Sequence, residues 1–600
     1  MAPDIAHQAA FPMNMLKPVL WFPLLALAAC AQQPTQPPGD SPSQPAQPAA
    51  SAPPAAKPRV VVRPAVQTPV LPAQAMSQSV LFKLLLAEIA LQRGQNNVAV
   101  QSFLDLAKET KDPRIAQRAT EVALNTRFFG PALETAGIWL AADPESQQAR
   151  QILAALLVNQ ARLPDAQPHL EKWLAADKSQ VGSGFMQLNT ILARHPDKPA
   201  VLQLTQNLAK PYPGLPEAHY SVAQAAWAAG QTTLALAEIR EALKLRADWE
   251  PAALFQGQVL QRTSNADALA YFRAYLKSYP RAMDVRLSYA RLLVTDKKYG
   301  EARGEFQTLL KEFPNNPDVT MAVALLSLQL NDFDAAETQL QHALETDYKD
   351  PDAVRFYLGQ VNEERKRPDD ALRWYSSVND GEQYVPARAR YAGILAKQGK
   401  LGDARKYLQD AGRTGAERVQ FTQAEAQLLR DASDYRAAFD LLGQAVAKNP
   451  NSAELLYDQA MAAEKVDRID VLESNLRKVI QLKPDYAHAY NALGYTLADR
   501  NTRLNEAYTL VEQALKLAPE DPFIMDSMGW VLFRMNQNEA AITFLRRAFE
   551  IRPDAEIAAH LGEVLWAAGR PEEAKKVWAA ALKDNPANEL LSSTVKKFSP

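Results

Sequence analysis

Small residues recur along this chain at a spacing of about 34, and that period constrains the fold more than any other feature. The rungs are Ala99, Ala132, Ala166, Ala200, Ala235, Ala268, Ala302, Ala336, Ala371, Ala404, Ala438, Leu472, Ala507, Ala541 and Ala574, with every interval between 33 and 35. A fixed period of this size is the mark of a stacked repeat array, in which each unit buries its apolar face only against its neighbours. A chain of 600 residues exceeds a single globular core, and an array escapes that limit.

A second, mostly small ladder lies about twelve residues upstream: Ala87, Ala154, Ala223, Ala290, Ala324, Gly359, Ala392, Ala426, Ala460, Gly494, Gly529 and Gly562. It fails near Thr120 and Leu188. Four residues after a main rung comes a larger apolar side chain, such as Phe103, Phe272, Tyr375, Leu545 or Trp578. Proline often follows eight residues later still, as at Pro144, Pro280, Pro484, Pro519 and Pro553. Each unit therefore reads as two short amphipathic helices and a proline-marked turn. The small residues allow close helix approach, and the larger ones fill the seam.

These spacings resemble the tetratricopeptide repeat. One unit carries Tyr490, Leu493-Gly494, Ala507, Ala514 and Pro519, with one extra residue between its helices. The next carries Gly529-Trp530, Ala541, Leu545, Ala548 and Pro553, and the last Leu561-Gly562, Ala574, Trp578, Ala581 and Pro586. The resemblance implies an all-α superhelical solenoid of about fifteen units over residues 76–592, with a tail at 593–600.

The single cysteine, Cys30, sits behind an apolar stretch from Val19 to Ala29 that is preceded by Lys17. Such a stretch is too short to span a bilayer and fits the core of a signal peptide. Leu27-Ala28-Ala29-Cys30 resembles the bacterial lipobox, whose thiol accepts the lipid after the signal is cut. The expectation is a signal over 1–29, with Met13 or Met15 as alternative starts, and lipidation at Cys30. An ordinary cleaved signal with an unmodified thiol is the other reading. Ala31 in place of aspartate follows the family habit of outer-membrane sorting, facing the periplasm. Residues 30–75 are rich in Pro, Ala, Gln and Ser, a composition that predicts a disordered, stiff tether.

No catalytic constellation emerges. The seven histidines (His7, His169, His195, His219, His342, His488 and His560) show no metal-ligand spacing, so neither metal nor cofactor is expected. Ser527 in Asp526-Ser527-Met528-Gly529 lacks the glycine two residues earlier that a nucleophile elbow requires. Asp369-Asp370 and Glu572-Glu573 fall at the starts of second helices, where the helix dipole favours them. A net charge of −2 without long charge runs argues against nucleic acid as the main partner. The chain reads as a binding protein, not an enzyme.

First helices should line the concave face, where side chains are not needed for stacking. By register that face offers His488, Asn491, Tyr495 and Asp499, then Asp526, Trp530 and Arg534, then Glu563 and Trp566. Aromatics and arginine interleaved with acids suit a protein-binding groove. Packing against a neighbouring helix is the competing reading for Trp530, Trp566 and His488. Trp249, Trp374 and Trp578 read as seam residues.

The segments Asn491–Arg500, Asp526–Arg534 and Ala558–Trp566, taken with the lipobox, resemble a family of proteobacterial outer-membrane repeat lipoproteins. Its LbcA-type members are adaptors of a periplasmic carboxy-terminal processing protease, a serine protease, and bring it peptidoglycan hydrolases. The resemblance implies a scaffold that holds protease and substrate together, raising effective concentration without chemistry of its own. The alternative is an assembly factor for an envelope secretion or polysaccharide-export complex.

Overall fold

The computed structural model describes residues 77–346, 348–586 and 588–598. Cys30, the signal and the tether expected over residues 1–75 lie outside them. The described residues form thirty-one α-helices and no strand. They are fifteen consecutive helix pairs and one final helix, divided between two compact units that meet in sequence at Pro314 and Asn315.

Within each unit the main ladder is the buried seam. Fourteen of the fifteen rungs, all except Ala200, have no exposed surface. Ala200 is half-buried, and its neighbour Val201 is 5% exposed in its place. The rung has slipped by one residue, because the Lys198–Ala209 helix turns Val201 and Thr205 inward. The rungs are small because helix pairs cross closely there.

The second ladder works as a set of sockets. A Cβ on Gly359 or Gly562 would fall within the ring of Tyr375 or Trp578, the residue four past the next main rung. At Gly494 it would lie 2.6 Å from Val511, and at Gly529 2.5 Å from Leu545. Gly257 is a further socket, filled by the ring of Phe272. Where the ladder fails, the structure uses other packing. Thr120 and Leu188 are both fully buried, and the Thr120 hydroxyl lies 3.0 Å from that of Thr135.

Turns inside the pairs repeat too. Residues with left-handed φ recur at the period, among them Lys297, Asn331, Lys366, Ser433 and Gly569. The extra residue between Asp499 and Leu504 is taken up by a second left-handed residue, Arg503 beside Asn501. Between successive repeats, a side chain six residues on closes over the turn carbonyl. Arg286 donates to Pro280 at 2.8 Å, Tyr490 to Pro484 at 3.2 Å and Arg418 to Gly412 at 3.3 Å, and Arg150 does the same with Pro144. These bonds satisfy carbonyls that the turn leaves without a helical donor.

The sequence reading ended the array at residue 592. Instead Glu589–Phe598 is one more helix, and Phe598 stacks on Trp578 at 5.8 Å between ring centres. The last repeat would otherwise expose the apolar face that a following repeat covers, and this helix caps it. Asp369 and Asp370 lie in the first turn of their second helix, as do Glu572 and Glu573.

Candidate functional site

Three consecutive first helices, Ala487–Asp499, Pro522–Arg534 and Ala555–Ala567, bring most of the predicted site residues together. Residues on one helix face meet residues one repeat later on the next. The His560 Nδ1 lies 2.9 Å from Oδ2 and 3.1 Å from Oδ1 of Asp526, thirty-four residues earlier. The imidazole also stacks on Trp530, with ring centres 4.4 Å apart and planes 24° from parallel. Trp530 in turn donates from Nε1 to Oδ1 of Asp499 at 3.3 Å. Tyr495 packs against His560 with ring centres 6.1 Å apart.

Arg534 reaches back along the same seam. Its Nε donates to the carbonyl of Ala498 at 3.0 Å, and Nη2 donates to the backbone carbonyl of Asp499. It therefore caps the end of the preceding first helix, where a cation also meets the negative end of the helix dipole.

The expectation that these residues stand open in a groove needs correction for four of them. Asn491, Tyr495, Asp526 and Trp530 are 2%, 7%, 5% and 5% exposed, because adjacent first helices close over them. Asp499, Arg534, Glu563 and Trp566 are half-buried, and His488 is exposed, edge-on to Tyr486. Glu563 and Trp566 lie at the C-terminal cap: Lys597 donates to Glu563 at 3.2 Å, and Trp566 stacks on Trp578 and contacts Phe598. Trp578 is buried in its seam as expected, whereas Trp249 is half-buried against Tyr220 and Arg246. Ser527 is buried and donates to the carbonyl of Phe523 at 3.0 Å, a helix-internal bond.

Charge in the cluster is uneven. Burial by itself would lower the His560 pKa, but Asp526, with Glu556 and Glu563 adding, holds it up at about 9. The imidazolium and the Asp526 carboxylate form a buried ion pair. Burial pushes Glu556 up to about 7, with His560 opposing and Asp526 adding. Burial likewise raises Glu464, opposed by Lys465 and reinforced by Asp499. The Tyr495 hydroxyl is raised by burial first, then by Glu556, Asp499, Asp526 and Glu464.

His560, Glu556 and Glu464 were missed as site residues by the sequence reading. The signal for His560 was present, since it stands one repeat length from Asp526. Among the described residues no group of three or more His, Cys, Asp or Glu is placed to hold a metal ion, and no helix is long and apolar enough to cross a membrane.

Sequence profiles of the tetratricopeptide repeat match residues 259–317, 293–357 and 527–589. The TPR repeat-containing protein PA4667 of Pseudomonas aeruginosa is 33% identical over 503 residues, covering 83% of this chain and 85% of its own length. The chain belongs to the tetratricopeptide-repeat family. A shorter likeness, 26% identical over 190 residues, is to cellulose synthase operon protein C of Pseudomonas fluorescens; it covers 29% of this chain and 14% of that protein. Among solved structures, the thermophilic tetratricopeptide-repeat protein TTC0263 of Thermus thermophilus is 23% identical, with a TM-score of 0.28, covering 29% of this chain and 98% of its own.

Proposed function

We propose that this chain is a lipid-anchored, periplasm-facing scaffold, an adaptor that binds a carboxy-terminal processing protease and presents cell-wall hydrolases to it. Tetratricopeptide repeats make the chain a protein–protein interaction scaffold, and the finer reading builds on that role. The observation that carries it is the tetratricopeptide-repeat match together with the fifteen helix pairs of the described residues. Anchoring through Cys30 rests on the lipobox-like Leu27–Cys30 segment, and the outer membrane on Ala31. Multiple acylation of one cysteine would hold the chain to a bilayer, at roughly 0.8 kcal/mol per buried methylene.

A scaffold of this kind works by concentration. Binding protease and substrate on one array converts their encounter into an intramolecular event, and no group of the scaffold enters the reaction. Affinity capture of the full chain from detergent-solubilised envelopes tests the reading. A co-purifying serine protease with peptidoglycan hydrolases is the expected result; secretion or export subunits alone would overturn it.

The second reading is an assembly factor for an envelope secretion or polysaccharide-export complex. The likeness to a cellulose synthase operon protein over 190 residues favours it. The same capture experiment separates the two.

A further inference from the structure

Glu589–Phe598 covers the last repeat, whereas the first helix of the first repeat, Gln78–Gln92, leaves an apolar face open. Val80, Ala87 and Ala90 of this helix are buried, and Leu81, Phe82, Leu85, Leu86 and Ile89 are 44%, 66%, 52%, 38% and 45% exposed. Steps of three and four residues put Phe82, Leu85, Leu86 and Ile89 on one stripe. The helix has two charged side chains, and both turn to the next repeat. Lys83 donates to Glu109 at 2.6 Å, and Glu88 accepts from Arg118 at 3.1 Å. No other described helix carries more than one exposed large apolar side chain. A helix that is apolar all round belongs between neighbours, and terminal repeats need a cap.

The sequence just before this helix is complementary to it. Residues 31–58 contain no valine, leucine, isoleucine, methionine or aromatic residue, whereas Val60, Val61, Val62, Val66, Val70 and Leu71 lie together immediately after them. Side chains of an extended chain alternate between two sides, which would group Val60, Val62, Pro64, Val66, Thr68 and Val70 against Arg59, Arg63 and Gln67. Pro64 and Pro69 have no N–H to take out of water. Extended, Val62 to Val70 would span about 26 Å, close to the roughly 22 Å of a fifteen-residue helix. Residues 71–77 suffice for a turn back along that helix. The open face presents on the order of 500 Å², short of the roughly 800 Å² per partner that a stable pair of copies buries. A segment of the same chain needs less area, because its attachment supplies a high effective concentration.

We propose that residues 60–71 dock as an extended segment on the open face of Gln78–Gln92 and cap the first repeat. Val62, Val66 and Val70 pack on the stripe of Phe82, Leu85, Leu86 and Ile89, and Arg59, Arg63 and Gln67 stay in water. The segment supplies at the start of the array what Glu589–Phe598 supplies at its end. This docking goes beyond the scaffold reading and depends on no partner. It also leaves only residues 31–58 to reach toward Cys30, a span of at most about 90 Å.

The test places the photo-reactive residue p-benzoylphenylalanine in place of Leu85, in the full chain in isolated membranes. Irradiation should give a product cross-linked within one chain, its adduct mapped to residues 60–71 by mass spectrometry. Val62→Asp combined with Val70→Asp should lower the yield of that product about ten-fold or more, since two charges would have to leave water. Both aspartates lie outside the helix pairs, so helicity by circular dichroism should be unchanged. A product that joins two copies, or an adduct to another protein or to lipid, with none on residues 60–71, would overturn the proposal. So would the absence of any adduct, or an equal yield in the double variant.

Discussion

The indole of Trp578 fills the space in which a Cβ on Gly562 would stand. The same relation joins Gly359 to Tyr375 and Gly257 to Phe272, one member on each helix of a pair. Gly562→Ala should therefore destabilise the last repeat by about 1–3 kcal/mol through overpacking. Gly393 lies inside a first helix with nothing within 4 Å of a Cβ. Gly393→Ala should be stabilising, by up to about 1 kcal/mol of helix propensity. Hydrogen exchange of the two helices checks both, and equal effects would contradict the socket account.

The buried Asp526–His560 pair carries a pH signature. His560 has a folded pKa of about 9, above its ordinary 6.5, so its stabilisation is complete below pH 6.5 and fades as pH rises through 9. Glu556 adds to the same trend: raised from 4.5 to about 7, it binds protons in the folded state that the unfolded chain has released. Stability should thus fall as pH rises from 4.5 to 7 on its account. Asp526→Asn should let the imidazole titrate well below 9, read by NMR. An unchanged His560 titration would contradict the pairing.

Trp530 and Arg534 separate by role. Trp530→Ala should cost about 3–5 kcal/mol, since a buried indole stacked on His560 is lost. Arg534→Ala removes charged hydrogen bonds to two carbonyls and should cost about 1.5–3 kcal/mol. Both losses should appear as faster hydrogen exchange in the Ala487–Asp499 helix. Binding lost with no change in exchange would mean that these side chains face a ligand instead of the seam.

Much of this was legible from spacing, because the period encodes packing directly. The rungs from Ala235 to Ala574 are buried where the sequence places them, since each must sit at a close helix crossing. Ala200 was misread because the spacing tolerates a slip of one residue, and only packing decides that Val201 turns inward. Residues 593–598 carry no repeat signal of their own, and the helix there is justified only by the Trp578 and Trp566 faces that it covers. The candidate site was less legible. Register put Asp526, Trp530 and Tyr495 on the first-helix face, but their burial depends on how closely successive first helices approach. His560 was overlooked because its importance lies in a partner one repeat away.

Membrane attachment has its own test. Cys30→Ala should abolish incorporation of labelled fatty acid and release the chain from membranes. A substituted chain that remains membrane-bound at high salt would contradict lipidation at Cys30.

The scaffold role is tested most directly by reconstitution, following hydrolase degradation by the protease as the concentration of this chain is raised. A bridge between two partners predicts a rate that climbs and then falls, because excess scaffold splits protease and substrate onto separate copies. A rate that rises to a plateau and stays there, or degradation by this chain without the protease, would contradict the account.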